Sequence, residues 1–328
     1  MWRRVGTPEE GFTYLRLDGR PLRDRAALAR IRRLAIPPGW TEVSIDPRAG
    51  AKIQAVGYDA AGRKQYIYHP RFVRAGQRRK FRRLLPLARA LPRLRTITDH
   101  HLRRSGLGRE RVLATVVRLM TRAFFRIGSE RYAVENRTFG IATLRKSHLE
   151  IRGNSLFFRY RGKKSVDQRQ VVADTPLVEI LEELLELPGE RLFQYRDDAG
   201  GVRPVTAAEV NAYLREITGE RYTSKDLRTW GGTVRAATIL ADLGPAPSER
   251  EARRNLVLVC KLVSSELGNT PAVCREAYIH PSVLERYLVG ETIAPEMRSA
   301  PRQVEARSPG GYYAEEAALM RFLEGGED

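Results

Sequence analysis

The chain has few of the residues from which disulfide frameworks, metal centres or membrane spans are built. Its 328 residues include two cysteines, Cys260 and Cys274, both set in apolar helical patterns that mark buried thiols rather than a cross-link. The five histidines and these cysteines show no ligand spacing, so no metal centre is expected, even at His100-His101 after Asp99. No apolar run approaches the ~20 residues that a membrane span needs, and no signal peptide opens the chain. The expectation is a soluble, cytoplasmic protein. Acidic residues are also short: 39 Asp+Glu stand against 58 Lys+Arg, a formal net charge of +19. Such an imbalance is the footprint of a polyanion partner, most commonly duplex nucleic acid, although a merely basic surface gives the same balance. Arginine predominates over lysine, which suits bidentate phosphate contacts and is equally the bias of a GC-rich genome.

The patterning predicts an α+β chain of two domains, a small β-rich one over residues 1–78 and a larger, mainly helical one over 79–328. In the first, Thr13–Leu17 alternates and ends at the turn signal Asp18-Gly19, and Asp24 caps a helix running to Ile36. Strands follow at Thr41–Ile45, Ala51–Tyr58 and Gln65–Tyr68, with the basic turn Ala60–Lys64 before the last. An aromatic strand beside a basic turn suits a nucleic-acid groove; tyrosines are also ordinary sheet residues. Arg71–Arg95, basic and helical in character with Pro86 and Pro92 toward its end, reads as an interdomain linker facing phosphate or solvent. Glu110–Phe125 is amphipathic, with Val112, Leu113, Val116, Val117 and Met120 on its buried side. Glu135–Thr143 then enters a small hairpin sheet near 149–172, whose strands flank turns at Gly153-Asn154 and Arg161–Ser165. Helices follow at Thr175–Leu187, at Thr206–Ile217 with Glu209 completing a capping signal, and at Tyr312–Leu323 after a flexible joint at Ser308–Gly311.

Four stretches carry chemistry. Arg126 follows a buried helix and precedes Ile127-Gly128, so its planar fork can project from a rigid base toward two phosphate oxygens. Lys163 stands at a hairpin tip, where a lysine is usually only a solubilising charge. Arg228, in Lys225-Asp226-Leu227-Arg228, lies near a helix start, where backbone N–H groups also favour anions. Finally, Thr270 caps and Pro271 opens a helix that carries Tyr278 toward its end, after which Pro281 stops or redirects it. A phenol with a pKa near ~10 is a poor nucleophile until nearby cations stabilise its phenolate.

In this order, and behind a small β domain, these motifs resemble those of the type IB DNA topoisomerases, in particular their poxvirus-like bacterial branch, over essentially the whole chain. The resemblance implies a two-lobed clamp on duplex DNA with Tyr278 as nucleophile, forming a 3′-phosphotyrosyl link. It implies Arg126 and Arg228 on the non-bridging oxygens and Lys163 as general acid to the departing 5′-oxygen. Asn269 stands where many members have histidine; it can still donate a hydrogen bond but cannot carry charge. Gln65, Tyr66, Tyr68, Tyr132, Thr143 and Lys225 resemble DNA-contacting positions. No cofactor, ATP or metal is implied, and the expected protein is a nucleoid-associated monomer. Tyrosine recombinases share the Arg–Lys–Arg–Tyr set but usually place histidine where this chain has Lys225. A non-catalytic basic DNA-binding protein accounts for the charge and leaves the ordered set unexplained. His280 reads as a local structural residue.

Overall fold

Five short strands and one capped helix form the first of two compact units, Met1–Lys80 and Phe81–Asp328, in a computed structural model that describes residues 1–299 and 311–325. The expected joint at Ser308–Gly310 lies outside the described residues. The strands β1 (Trp2–Thr7), β2 (Gly11–Leu15), β3 (Thr41–Ile45), β4 (Ile53–Tyr58) and β5 (Lys64–Tyr68) form an antiparallel sheet in the order β2-β1-β3-β4-β5. Strand β1 was not anticipated, because its outer half is wholly exposed and shows no apolar alternation. Helix α1 (Arg25–Arg33) begins at Asp24, whose carboxylate accepts the Ala27 N–H at 2.9 Å. Its Ile31 packs with Leu22, Val43, Ile45 and Ala55 into a small core.

Helix α2 (Pro70–Arg82) carries the chain out of this sheet, and α3 (Leu84–Leu102) follows almost at once. The stretch is helical, as expected, but its second half belongs to the core rather than to a linker. Leu84, Leu87, Ala88, Leu91 and Leu94 recur at three- and four-residue spacing and are buried in the main core. The many arginines of the stretch masked that apolar period, and Pro92 is accommodated inside α3.

The larger unit continues with α4 (Arg109–Ala123) and α5 (Glu130–Asn136), and then an antiparallel sheet of β6 (Leu149–Arg152), β7 (Ser155–Arg161) and β8 (Asp167–Ala173). The segment expected to enter that sheet at Glu135–Thr143 instead finishes α5 and makes a tight turn at Ile141–Thr143. After α6 (Thr175–Leu185), β9 (Gln194–Arg196) and β10 (Val202–Pro204) form a small hairpin. Helix α7 (Ala207–Thr218) starts in the expected capping box: the Thr206 N–H donates to Glu209 at 2.9 Å, and the Glu209 N–H donates to the Thr206 hydroxyl at 3.2 Å. The remaining helices are α8 (Ser224–Leu243), α9 (Glu249–Leu267), α10 (Pro271–Ala277), α11 (Pro281–Tyr287), α12 (Ala294–Ser299) and α13 (Ala314–Glu324). Cys260 and Cys274 are buried, unpaired thiols, and a His101 ring nitrogen bonds the buried Tyr213 hydroxyl at 2.8 Å. Among the described residues, no helix is long and apolar enough to cross a membrane.

The last helix is held by a buried carboxylate. Glu316 accepts from Arg95 at 2.8 Å, from the Trp230 indole N–H at 3.1 Å and from the Tyr313 N–H at 3.2 Å. Removing one partner of a buried ion pair strands the other's charge, which costs far more than an exposed pair contributes. Glu316→Ala is therefore expected to lower stability by about 3 kcal/mol. Urea unfolding followed by tryptophan fluorescence measures this directly, since Trp230 lies at the contact.

Candidate active site

Arg126 is aimed by a sharp turn at the end of α4. Phe124 takes a left-handed conformation (φ 52°), and Phe125 is then buried edge-on against Phe158, with ring centroids 5.0 Å apart. The Arg126 and Ile127 carbonyls accept the N–H groups of Ile141 and Ala142 at 2.7 and 2.9 Å. Gly128 and Gly140 sit back to back: a Cβ on Gly140 would lie 2.4 Å from the Gly128 nitrogen and 2.6 Å from the Arg126 oxygen. Thr143 is buried behind them, its hydroxyl bonded to both the N–H and the C=O of Gly140 at 3.0 Å. Thr143 resembles a DNA-contacting position in the sequence; its buried side chain secures the loop that presents Arg126.

Arg228 comes from the start of α8. The Asp226 carboxylate accepts the Thr223 N–H and hydroxyl at 2.9 and 2.8 Å, which fixes the helix start and places Arg228 one turn inside. Arg228 is only 4 % exposed and donates from Nη2 to the Leu267 carbonyl at 2.8 Å. One turn further, Gly231 and Gly232 let α8 approach two other elements. A Cβ on Gly231 would meet the Phe124 ring at 2.2 Å, and one on Gly232 would lie 2.9 Å from the Tyr278 carbonyl oxygen. The Thr233 hydroxyl donates to the Thr229 carbonyl at 2.8 Å and accepts the His280 N–H at 3.2 Å.

Asn269 and Tyr278 bracket α10. Helix α9 ends at Gly268 in the left-handed region (φ 62°), which turns the chain toward Asn269. Arg126 Nη2 donates to the Gly268 carbonyl at 2.5 Å and to Asn269 Oδ1 at 2.6 Å. The Thr270 side chain caps α10 and Pro271 opens it. Tyr278, half-buried, is the residue at which the helix ends, with the Arg228 guanidinium carbon 5.4 Å from its ring centroid. Pro281 does not merely stop α10: it opens α11 behind the His280 cap, whose Nδ1 accepts the Ser282 N–H at 3.2 Å. The His280 ring packs edge-on against Phe81 at 5.2 Å, and burial pushes its pKa down to about 4.

Arg126, Arg228, Asn269 and Tyr278 thus converge on one place. Burial lowers the pKa of both arginines, and the charge of Arg126 lowers that of Arg228 further; Tyr278 and Tyr160 oppose the shift. Two buried donors in this group, Arg228 Nε and Asn269 Nδ2, have no hydrogen-bond partner among the described residues. Orphaned donors beside two guanidiniums constitute a demand for an anion. Tyr160 was missed by the sequence reading. It is buried on β7 in phase with Leu156 and Phe158, faces the arginine pair, and has its phenol pushed up to about 12 by burial. Its alternation with those apolar residues was the available signal.

The other expected residues lie apart from this group. Lys163 is exposed on a tip whose next residues, Lys164 and Ser165, have φ of 61° and 57°. Lys225 is exposed on the first turn of α8, and Tyr132 is exposed on α5. In the smaller unit Tyr66 and Tyr68 are exposed and stacked, with centroids 5.9 Å apart, and the Gln65 amide donates to Asp59 at 2.8 Å.

Residues 70–295 match the family profile described as eukaryotic DNA topoisomerase I, catalytic core, and residues 11–59 match that of the bacterial DNA topoisomerase IB N-terminal domain. The chain belongs to the type IB DNA topoisomerases. Within them it is of the poxvirus-like kind. It is 28% identical over 283 residues to the DNA topoisomerase 1B of Acanthamoeba polyphaga mimivirus, covering 84% of each chain. It is 25% identical over 275 residues to that of Vaccinia virus (strain Copenhagen), covering 80% of this chain and 82% of the relative. Among solved structures, the XerH site-specific recombinase bound to a palindromic difH substrate overlaps 59% of this chain and 49% of its own, with a TM-score of 0.37 at 15% identity.

Two outcomes follow from this packing. Gly232→Ala forces its methyl against the Tyr278 backbone, so DNA relaxation is expected to fall about tenfold or more while the circular dichroism spectrum is unchanged. His280 is held neutral, with a folded pKa of about 4 below its ordinary value near ~6.5. Its stabilising contribution is therefore complete above about pH 6.5 and is lost as pH falls toward 4. His280→Asn keeps a capping side chain and should flatten that part of a plot of unfolding midpoint against pH.

Proposed function

We propose that Tyr278 is the strand-cleaving nucleophile of this topoisomerase, acting on a DNA phosphodiester held by Arg126, Arg228 and Asn269. The observation that carries the reading is the pair of buried, unpartnered donors, Arg228 Nε and Asn269 Nδ2, grouped with both guanidiniums and the tyrosine. Donors fixed before the reaction stabilise the charge that builds on the non-bridging oxygens, at no cost in reorganisation. Asn269 is oriented to act as such a donor, because its carbonyl oxygen is taken by Arg126 and its N–H₂ group is left to donate.

The phenolic oxygen of Tyr278 attacks phosphorus as its proton leaves to solvent, and the bond from phosphorus to the 5′-oxygen breaks. Lys163, on its exposed hairpin tip, protonates that oxygen as it departs. The product is a 3′-phosphotyrosyl ester and a free 5′-hydroxyl, which attacks back to reseal the strand after supercoils have relaxed. The ester retains the energy of the diester, so resealing requires no nucleotide. We read the smaller unit as a DNA-contacting domain through Gln65, Tyr66 and Tyr68, and Lys225 and Tyr132 as exposed contacts on the larger one.

Relaxation of a negatively supercoiled plasmid in EDTA without ATP tests the reading. The parent is expected to relax the plasmid and to yield a 3′-linked protein when trapped; Tyr278→Phe should do neither. Arg228→Ala should slow single-turnover cleavage by about 100-fold or more. Full relaxation by Tyr278→Phe would remove the tyrosine from the mechanism.

A further inference from the structure

We infer that Gln168 is a positioning residue that couples the Lys163 hairpin to the Gly268-Asn269 turn. The inference rests on the general-acid role proposed for Lys163. Strands β7 and β8 pair so that Gln168 lies directly opposite Tyr160, the residue that faces both arginines. The inner face of this sheet is apolar at Leu156, Phe158 and Val172, and turns polar only toward the hairpin tip.

Gln168 is buried, yet among the described residues its carboxamide bonds only the nearby carbonyls of Val166 and Asp167, at 3.4 and 3.3 Å. These long bonds do not account for a glutamine here; its packing does. On one side lies Gly162, the residue before Lys163, where an added Cβ would fall 2.7 Å from Gln168 Cγ. On the other lies Gly268, the residue before Asn269, where a Cβ would fall 2.4 Å from Gln168 Oε1. The Gly268 carbonyl is also an acceptor for Arg126. A single side chain therefore fills the space between the base of the lysine-bearing tip and the turn that positions two phosphate-binding groups. At Gly162 a larger residue would strike the inner part of the Gln168 side chain, and at Gly268 the left-handed backbone (φ 62°) already favours glycine. Beyond Gly162 the strand pairing ends in one backbone bond, from the Gly162 N–H to the Val166 carbonyl at 2.8 Å, so the tip takes its placement from this base.

The test uses a duplex carrying a cleavage site mapped on the parent, and a second duplex with sulfur in place of the 5′-bridging oxygen at that site. A thiol ionises near ~8.5, so the sulfur departs without a general acid. Gln168→Ala is expected to slow single-turnover cleavage of the oxygen substrate by about 10- to 100-fold and to cleave the sulfur substrate at close to the parent rate. Gln168→Met, which keeps the bulk and loses the amide, is expected to behave like the parent on both. Equal losses on the two substrates for Gln168→Ala, or no loss at all, would overturn the coupling, as would a Gln168→Met loss equal to that of Gln168→Ala. Lys163→Ala run alongside separates the two claims: if sulfur fails to rescue it, the acid assignment falls, and the coupling falls with it.

Discussion

Two guanidiniums held side by side in a largely buried place are the constraint on which the larger unit depends. Arg126 and Arg228 repel one another and have both lost much of their hydration. The protein supplies partial compensation only: backbone carbonyls at Gly268 and Leu267, the amide oxygen of Asn269, and the nearby rings of Tyr278 and Tyr160. What remains unmet is a full negative charge, which under the proposed mechanism a phosphodiester would bring. A site built this way gives up folding stability to be organised before its substrate arrives, which is the arrangement that favours a charged transition state.

Holding such a group together requires close backbone approach, and glycine is what permits it. Gly128 and Gly140 seat the Arg126 loop, Gly231 and Gly232 bring α8 against the ends of α4 and α10, and Gly268 turns the chain at Asn269. The contacts of Gly231 and Gly232 lie between elements far apart in sequence. Thr233 and His280 then tie the backbone around Tyr278 to the helix that carries Arg228. Tyr278 is thus placed by the same helix that supplies Arg228, which keeps their separation insensitive to movement elsewhere.

The hairpin is organised differently. Lys163 stands on an exposed tip with two successive non-glycine residues at positive φ, whereas the four grouped residues sit on packed helices and turns. A proton donor has to reach only one leaving oxygen, while the phosphate-binding groups have to hold their geometry throughout the reaction. Under the proposed mechanism these roles are divided between an exposed hairpin and a packed base, with Gln168 as the side chain that touches both.

Local pattern alone carried much of this protein. The Asp24 and Thr206 caps, the Thr270-Pro271 helix start, the amphipathic face of α4 and the strands around the 161–165 tip were all legible, because each depends on residues only a few positions apart. The ordered set Arg126, Lys163, Arg228, Asn269 and Tyr278 carried the resemblance to the family to which the chain belongs. Arginine-rich surface hid the apolar period of α3, and the sparse burial of β1 left no alternation to read. Thr143 resembled a DNA-contacting position, and Tyr160 and Gln168 passed for ordinary strand residues. Their roles are set by what lies across the fold: Gly140 behind Thr143, the arginine pair before Tyr160, and Gly162 and Gly268 on either side of Gln168. Sequence determined which groups could do chemistry and which helices would form to carry them. Only the tertiary structure decided which of those groups meet, because burial and close backbone approach depend on packing between segments that no local spacing relates.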